Sequence, residues 1–390
     1  MDAIKLSSLE GPINYLAYSL KRKGITPGEK VAFIASNERS VVILFLALFR
    51  LGAIACPLST RFPNLKPYLD ILKPEFLLDV NQLSFAKAPL LSYQIREDQL
   101  ATMIFTSGSS AQPKIACHTY GNHLYSALGI NERLPFGAEE SWHLSLPLYH
   151  VAGIAILFRC LVADATLLLM KEPLEKATHL SLVPTQLFRL DKPLQATILI
   201  GGAPIAPSLY LKGYHLRTSY GLTEMSSTVT LDGQILPYRE IKLAPDGEIL
   251  VRGKTLFQGY YLEAPVQPGE WFHTRDLGVM IDKKMHIIGR KDNLFISGGE
   301  NIQPEEIEKA LMNLPGIEQA VVIPQKDLEF GYRPVAFIHA PSTTYTSASI
   351  RKLLEKKLPT FKIPVRILPF PEQCQTDKPS RAYLSHVLTY

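Results

Sequence analysis

Cysteine is scarce: the 390-residue chain has four (Cys56, Cys117, Cys160 and Cys374), far apart and with no C-x-x-C pair. That argues against a disulfide framework or a structural zinc site and fits a reducing compartment. Long apolar runs are missing too. The longest, residues 41–49, ends at Arg50, whereas a membrane span takes about 20 residues. It reads as a buried helix, and no stable membrane insertion is expected. The opening MDAIKLSSLEGP lacks the apolar heart of a signal peptide, so a cytoplasmic location is expected. No long basic tract occurs; 41 Lys and Arg face 36 Asp and Glu, net +5. Nucleic acid is therefore not an expected partner, while small anions such as nucleotides remain suitable. The 24 Gly and 29 Pro show no period, which excludes collagen-like and low-complexity architectures.

What is present is ordinary globular composition, 46% apolar and 20% charged. The length exceeds one compact core and implies two domains, one of them large. Residues 12–22 read as a helix, 30–35 as a strand, 39–51 as an apolar helix and 53–57 as a strand. Strand, helix and strand in that order predict a βαβ unit on a parallel sheet. Residues 100–105, 180–190 and 197–202 are further elements. After Asp232, short strands with Gly turns (248–252, 285–289) predict a β-rich subdomain. Beyond Arg290 the order is helix 304–313, strand 317–324, strand 334–339, helix 347–358 and strand 365–369, a compact α+β unit of about 100 residues. The basic stretch 351–366, six Lys/Arg against Glu355, reads as a solvated helix face.

Three segments carry chemistry. Thr106-Ser-Gly-Ser-Ser-Ala-Gln-Pro-Lys114 follows a β-like run and precedes a helical pattern at 121–129. Hydroxyls and Gly in such a loop offer N–H and O–H donors to phosphate oxygens, and Lys114 adds a full charge. It is not a G-x-x-x-x-G-K-[ST] loop; a polar turn is the alternative. Ser219-Tyr-Gly-Leu-Thr-Glu224-Met reads as a Tyr-Gly turn that can lay a ring on a purine. Thr223 then touches phosphate and Glu224 supplies one oxygen to Mg²⁺. Trp271-Phe-His-Thr-Arg-Asp276 is followed by Gly289-Arg290-Lys-Asp292 and Ser297-Gly-Gly-Glu-Asn301. A carboxylate such as Asp276 can accept both ribose hydroxyls, and Arg290 offers a rigid donor fork. Alone, the second segment is an ordinary turn, and the alternative for the third is a pair of surface turns with a salt bridge.

Taken together and in order, the segments resemble the adenylate-forming superfamily of acyl- and aryl-CoA ligases, luciferases and peptide-synthetase adenylation domains. The resemblance covers essentially the whole chain. Leu144-Ser-Leu-Pro-Leu-Tyr-His150, Leu182-Val-Pro-Thr-Gln-Leu-Phe-Arg189, Gly201-Gly-Ala-Pro-Ile and Asp292-Asn-Leu-Phe-Ile-Ser-Gly-Gly-Glu-Asn-Ile-Gln-Pro-Glu-Glu-Ile-Glu308 resemble most the o-succinylbenzoate–CoA ligase branch of menaquinone synthesis.

That resemblance implies an α/β multi-domain, acetyl-CoA-synthetase-like fold. A large N-terminal domain of parallel-rich sheets with a β-rich subdomain (1–289) leads through a hinge (290–292, pivoting at Asp292) to a small mobile α+β lid (293–390). It implies ATP, Mg²⁺ and coenzyme A as cofactor or co-substrates, a small carboxylic acid as substrate, and leaves a homodimer open. Thr106, Ser107, Gly108, Ser109, Ser110 and Lys114 would hold phosphates with Thr223 and with Mg²⁺ on Glu224. Tyr220 beside Gly221 would stack on adenine, Gly202 and Ala203 would line the base pocket, and Asp276 and Arg290 would fix the ribose. Lys378 would be the catalytic lysine and His150 would flank the acyl pocket. Gly298, Gly299 and Glu300 would line the thiol route. The acyl pocket would come from residues 182–188, 201–204 and 225–228, with Ser226, Thr228 and Arg189 as candidates for a second carboxylate. Cys117 is expected to be a buried small residue rather than a nucleophile. In two places the chain departs from the pattern: Ser110-Ala111 stands for Thr-Gly, and Asp377 stands for the Gly before Lys378. The rival readings are another aryl- or fatty-acyl-CoA ligase, and a non-catalytic adenylate-binding protein.

Overall fold

The apolar run ending at Arg50 forms the helix Arg39–Leu51, ten of whose residues are buried. Gly52 stops it in the left-handed conformation, φ +72°, which costs glycine little. On either side lie the parallel strands Lys30–Ile34 and Ile54–Leu58, the expected βαβ unit. A computed structural model gives this architecture and describes residues 2–91, 94–106, 113–203, 205–206, 209–210, 213–341, 345–371 and 380–388.

Three sheets build the larger part. A six-stranded sheet contains that βαβ unit, the strand Leu100–Thr106 parallel to Ile54–Leu58, and antiparallel Lys114–Thr119 and Gly259–Tyr260 at one edge. An eight-stranded sheet runs parallel through Ser141–His143, His179–Leu182, Thr197–Gly201 and His215–Leu222, then turns antiparallel at Ser227–Leu231. A four-stranded antiparallel sheet holds Arg239–Leu243, Glu248–Gly253, Phe272–Ile281 and Lys284–Arg290. This is the expected β-rich subdomain. The main core lies between helices Glu10–Arg22, Arg39–Leu51, Tyr120–Arg133 and Val151–Ala163 and the two larger sheets.

Beyond Arg290 come the hairpin Phe295–Ser297/Glu300–Ile302, helix Pro304–Met312, and strands Gln319–Asp327, Gly331–His339 and Arg366–Pro369 in one sheet, with helix Ser347–Leu354. Their core around Ile302, Leu311 and Ile350 also packs on Ala206 and Phe188 from the larger part. The terminal helix Arg381–Val387 is anchored by Arg381, which donates to Glu308 (2.6 Å) and Glu305 (2.9 Å).

Several boundaries shift for identifiable reasons. Residues 180–190 are two elements, strand His179–Leu182 and helix Pro184–Phe188; Pro184 suits a first helical turn and not a strand interior. The helix expected to reach residue 358 ends at Leu354, because Pro359 disfavours helical backbone just before it. The hairpin 319–339 is longer than expected, its tip closed where Asp327 Oδ1 accepts the Glu329 and Phe330 N–H groups. Among the described residues no helix is long and apolar enough to cross a membrane.

Candidate functional site

The sequence reading makes Tyr220-Gly221 a turn, and the structure corrects this. Both residues lie in the strand His215–Leu222, and the turn is Thr223–Met225. A Cβ on Gly221 would stand 2.2 Å from the Ser227 carbonyl oxygen. Glycine is there so that two strands can close at the bulge between Tyr220 and Gly221.

Two neighbours fix the turn. His118 Nε2 donates to the Thr223 carbonyl (2.7 Å), and the Phe257 N–H donates to the Glu224 carbonyl (2.8 Å). Burial pushes the His118 imidazole down to about 4, against the opposing effect of its hydrogen bonds. A carbonyl can only accept, so this neutral ring carries its proton on Nε2.

The Glu224 side chain is held at one oxygen. Tyr260 O–H donates to Oε1 (2.5 Å). The phenol is pushed upward by burial and by the Glu224 charge, so it remains a donor. Lys114 Nζ stands 4.5 Å from the centre of the Tyr260 ring and pairs with Glu263 at 2.9 Å. The strand Gly259–Tyr260 lies beside Ala116 and Cys117, which brings Lys114, Tyr260 and Glu224 into one row. Among the described residues no cluster of three His, Cys, Asp or Glu could hold a metal. A single half-held carboxylate suits Mg²⁺ that arrives with phosphates, because this ion keeps most of its ligands from water and phosphate.

A second group forms on the four-stranded sheet. Asp276 and Arg290 face each other in register. Asp276, 7% exposed, accepts from the Tyr220 hydroxyl (2.7 Å) and Arg290 Nη1 (3.0 Å). Burial pushes its carboxyl up despite those two donors. Arg290 also reaches Asp292 (3.1 Å), which Arg275 grips from the other side (2.6 Å). Burial would raise the Asp292 carboxyl, but the two guanidiniums win and hold it below the usual range. Gln303 closes the link to the smaller part by donating to the Arg290 carbonyl (3.0 Å).

The structure thus gathers Lys114, Thr223, Glu224, Tyr220, Asp276, Arg290 and Asp292. Thr106 Oγ1 donates to the Lys114 carbonyl (3.4 Å) at the base of the expected phosphate loop. Gly202 (φ +81°) and Ala203 follow the strand Thr197–Gly201. His150 caps the helix Val151–Ala163, its ring against Tyr149 (4.7 Å between centres), with no hydrogen bond to either group. Gly298 and Gly299 form the tip of a hairpin, both at positive φ, ahead of Glu300. Ser107, Gly108, Ser109, Ser110, Ala111, Asp377 and Lys378 lie outside the described residues. Cys117 is buried, and burial pushes its thiol up to about 11, consistent with an inert core residue. Sequence reasoning missed Tyr260 and His118. The Gly259-Tyr-Tyr261 run was the available signal for the first.

Residues 64–261 match the AMP-binding enzyme family. The chain belongs to the AMP-binding enzymes. Residues 306–376 of this AMP-binding enzyme match the family's C-terminal domain. It is 36% identical over 401 residues to the 2-succinylbenzoate–CoA ligase of Escherichia coli strain K12, covering 93% of this chain and 87% of that one. Its fold is similar to that of o-succinylbenzoate CoA synthetase from Bacillus subtilis in complex with the acyl-adenylate intermediate OSB-AMP. There the TM-score is 0.84 at 25% identity, with 98% of this chain and 93% of that chain covered. The same synthetase in complex with ATP and magnesium ion gives a TM-score of 0.82 at 25% identity, covering 93% and 90%. The expected large mixed domain, β-rich subdomain and small C-terminal domain are those of this adenylate-forming fold.

Proposed function

We propose that this AMP-binding enzyme is an ATP-dependent acid–CoA ligase that converts 2-succinylbenzoate, ATP and coenzyme A into 2-succinylbenzoyl-CoA, AMP and pyrophosphate. The row Lys114–Tyr260–Glu224 beside the group Tyr220–Asp276–Arg290 carries the reading. The likeness to ligases named for 2-succinylbenzoate supports the choice of acid.

A carboxylate is a poor acyl donor, so it is first made into a mixed anhydride. A carboxylate oxygen attacks the α-phosphorus of Mg-ATP, the bond to the bridging oxygen breaks, and pyrophosphate leaves with the electron pair. The coenzyme A sulfur then attacks the acyl carbon, its proton passes to solvent, and AMP leaves. The protein's part is positioning and charge neutralisation. Lys114 and Thr223 would neutralise phosphate oxygens, and Glu224, oriented by Tyr260, would meet the Mg²⁺ that travels with them. Asp276 would exchange its Tyr220 and Arg290 donors for ribose hydroxyls, leaving the Tyr220 ring for adenine. By family resemblance Lys378 would bridge the substrate carboxylate and α-phosphate. His150 would flank the acyl pocket.

We read residues 1–289 as the adenylate-binding unit, 290–292 as the hinge and 293–390 as the lid. Its rotation about Asp292 would exchange Lys378 for the Gly298–Glu300 face between the two steps. A panel of carboxylic acids incubated with ATP, Mg²⁺ and coenzyme A, followed for pyrophosphate and thioester, tests the function. Both products should appear with 2-succinylbenzoate. No pyrophosphate with any acid would overturn the ligase reading, and products with benzoate or fatty acids alone would overturn the substrate.

A further inference from the structure

Arg275 lies inside the strand Phe272–Ile281 at φ +63°, a conformation that strains any residue with a Cβ. The surroundings impose it. Opposite this strand, Leu250 pairs with His273 and Glu248 with Leu277, so residues 274–276 face Ile249 alone. Thr274 Oγ1 donates to the Ile249 carbonyl (2.7 Å), the Arg275 N–H to Glu248 Oε1 (3.1 Å) and the Asp276 N–H to Thr274 Oγ1 (3.0 Å). The result is a bulge, a device that re-aims side chains beside functional sites.

It sends two neighbours in different directions. Asp276 turns inward to Tyr220 and Arg290. Arg275 is exposed and turns to the hinge, where its Nε (3.0 Å) and Nη2 (2.6 Å) both donate to Asp292 Oδ1. Arg290 Nη2 takes Oδ2 (3.1 Å) while its Nη1 stays on Asp276. Lys291 is tied down as well, to Asp246 (2.5 Å) and to Glu248 (3.2 Å). Glu248 is buried, 4% exposed, and the carboxylate that holds the Arg275 backbone also holds this hinge lysine. One exposed ion pair contributes little; a guanidinium fork inside a network of alternating charges is the exception.

Such a grip sets where the smaller part can stand. Turning about Asp292 requires its carboxylate to leave Arg275, which belongs to the larger part. In the position seen, Gly298, Gly299 and Glu300 are exposed, and Ile296 beside them is 57% exposed. The face proposed for the thiol route therefore points to solvent. The core of the smaller part packs on Ala206 and Phe188 instead.

Resting on the proposed acid–CoA ligase reading and its two lid positions, we propose that Arg275 is a positioning residue for the adenylation step. It latches Asp292 so that the lid is held where the acyl-adenylate forms and not where the thioester forms. The strain at Arg275 is the cost of aiming one side chain at the hinge and the next at the ribose site.

The test measures the two half-reactions separately on the full chain. One is single-turnover pyrophosphate release from 2-succinylbenzoate and Mg-ATP without coenzyme A. The other is thioester formation from supplied acyl-adenylate and coenzyme A. Arg275→Gly removes the fork and lets the backbone keep φ +63° without strain, so the bulge and Asp276 are spared. R275G should slow pyrophosphate release at least threefold while thioester formation holds or quickens. R275K, which keeps the charge without the fork, should recover part of the loss. In an Asp292→Ala background R275G should change neither step further. Equal loss of both steps, loss of the thioester step alone, or no change in R275G would overturn the inference. So would a full additional effect of R275G on top of D292A. If R275G does not fold, the same comparison in R275M decides. Wild-type pyrophosphate release with equal losses in the variant refutes only this inference, whereas a wild type that releases none with any acid refutes the ligase reading.

Discussion

Replacing Tyr260 by phenylalanine removes one O–H and little else. The ring stays, so the contact with Lys114 at 4.5 Å and the strand pairing with Ala116 are kept. What goes is the donor to Glu224 Oε1 at 2.5 Å. A hydrogen bond to a charged acceptor contributes about 1.5–3 kcal/mol, and 1.4 kcal/mol is a factor of about ten. A partner that orients a metal-binding carboxylate typically changes metal affinity by about 10–100-fold. The two routes agree. Y260F should therefore raise the half-saturating concentration of Mg-ATP by about ten- to a hundredfold, while the KM for the acid moves by no more than about threefold. The assay is pyrophosphate release at varied Mg-ATP, with free Mg²⁺ and acid held constant. The melting temperature of the variant serves as the control for folding. A folded Y260F with an unchanged Mg-ATP dependence would remove Glu224 from the nucleotide site and refute the reasoning.

Two further predictions are independent of it. Buried His118 is held at about 4, below the ordinary 6.5. A histidine depressed in the folded state contributes stability that is whole above pH 6.5 and lost as pH falls through about 4. That displacement is worth about 3 kcal/mol. The wild-type melting temperature should fall between pH 7 and 4 more steeply than that of His118→Gln, and equal slopes would contradict the assignment. Lys378→Ala should suppress pyrophosphate release and spare thioester formation from supplied acyl-adenylate; equal loss of both steps would contradict the two-position lid.

What the sequence disclosed depended on how local the signal was. The helix Arg39–Leu51 is legible to the residue because an unbroken apolar run meets a glycine that ends it. The pairing of Asp276 with Arg290 is only half legible: the pattern predicts the strand near residues 285–289 but not its partner Phe272–Ile281, with a register shift between Leu277 and Gly278. Gly221 misleads because glycine usually marks a turn, whereas here it admits a neighbouring strand. Tyr260 leaves only the short Gly259-Tyr-Tyr261 signal, because its strand has two residues and its meaning lies in distant Glu224.

The nucleotide-side residues belong to three sheets that share no strand. Lys114 and Tyr260 are in the six-stranded one, Tyr220 in the eight-stranded one, and Asp276 and Arg290 in the four-stranded one. The seam between them is joined by buried apolar side chains, by side-chain hydrogen bonds such as Tyr220 to Asp276, and by a few backbone bonds such as Phe257 N–H to the Glu224 carbonyl. On the proposed function, a nucleotide lying across that seam would act as a keystone, its binding free energy added to the cohesion of the whole domain. Nucleotide supply would then reinforce a seam whose buried cluster of Ala116, Val229, Ile249 and Val251 already holds the three blocks together.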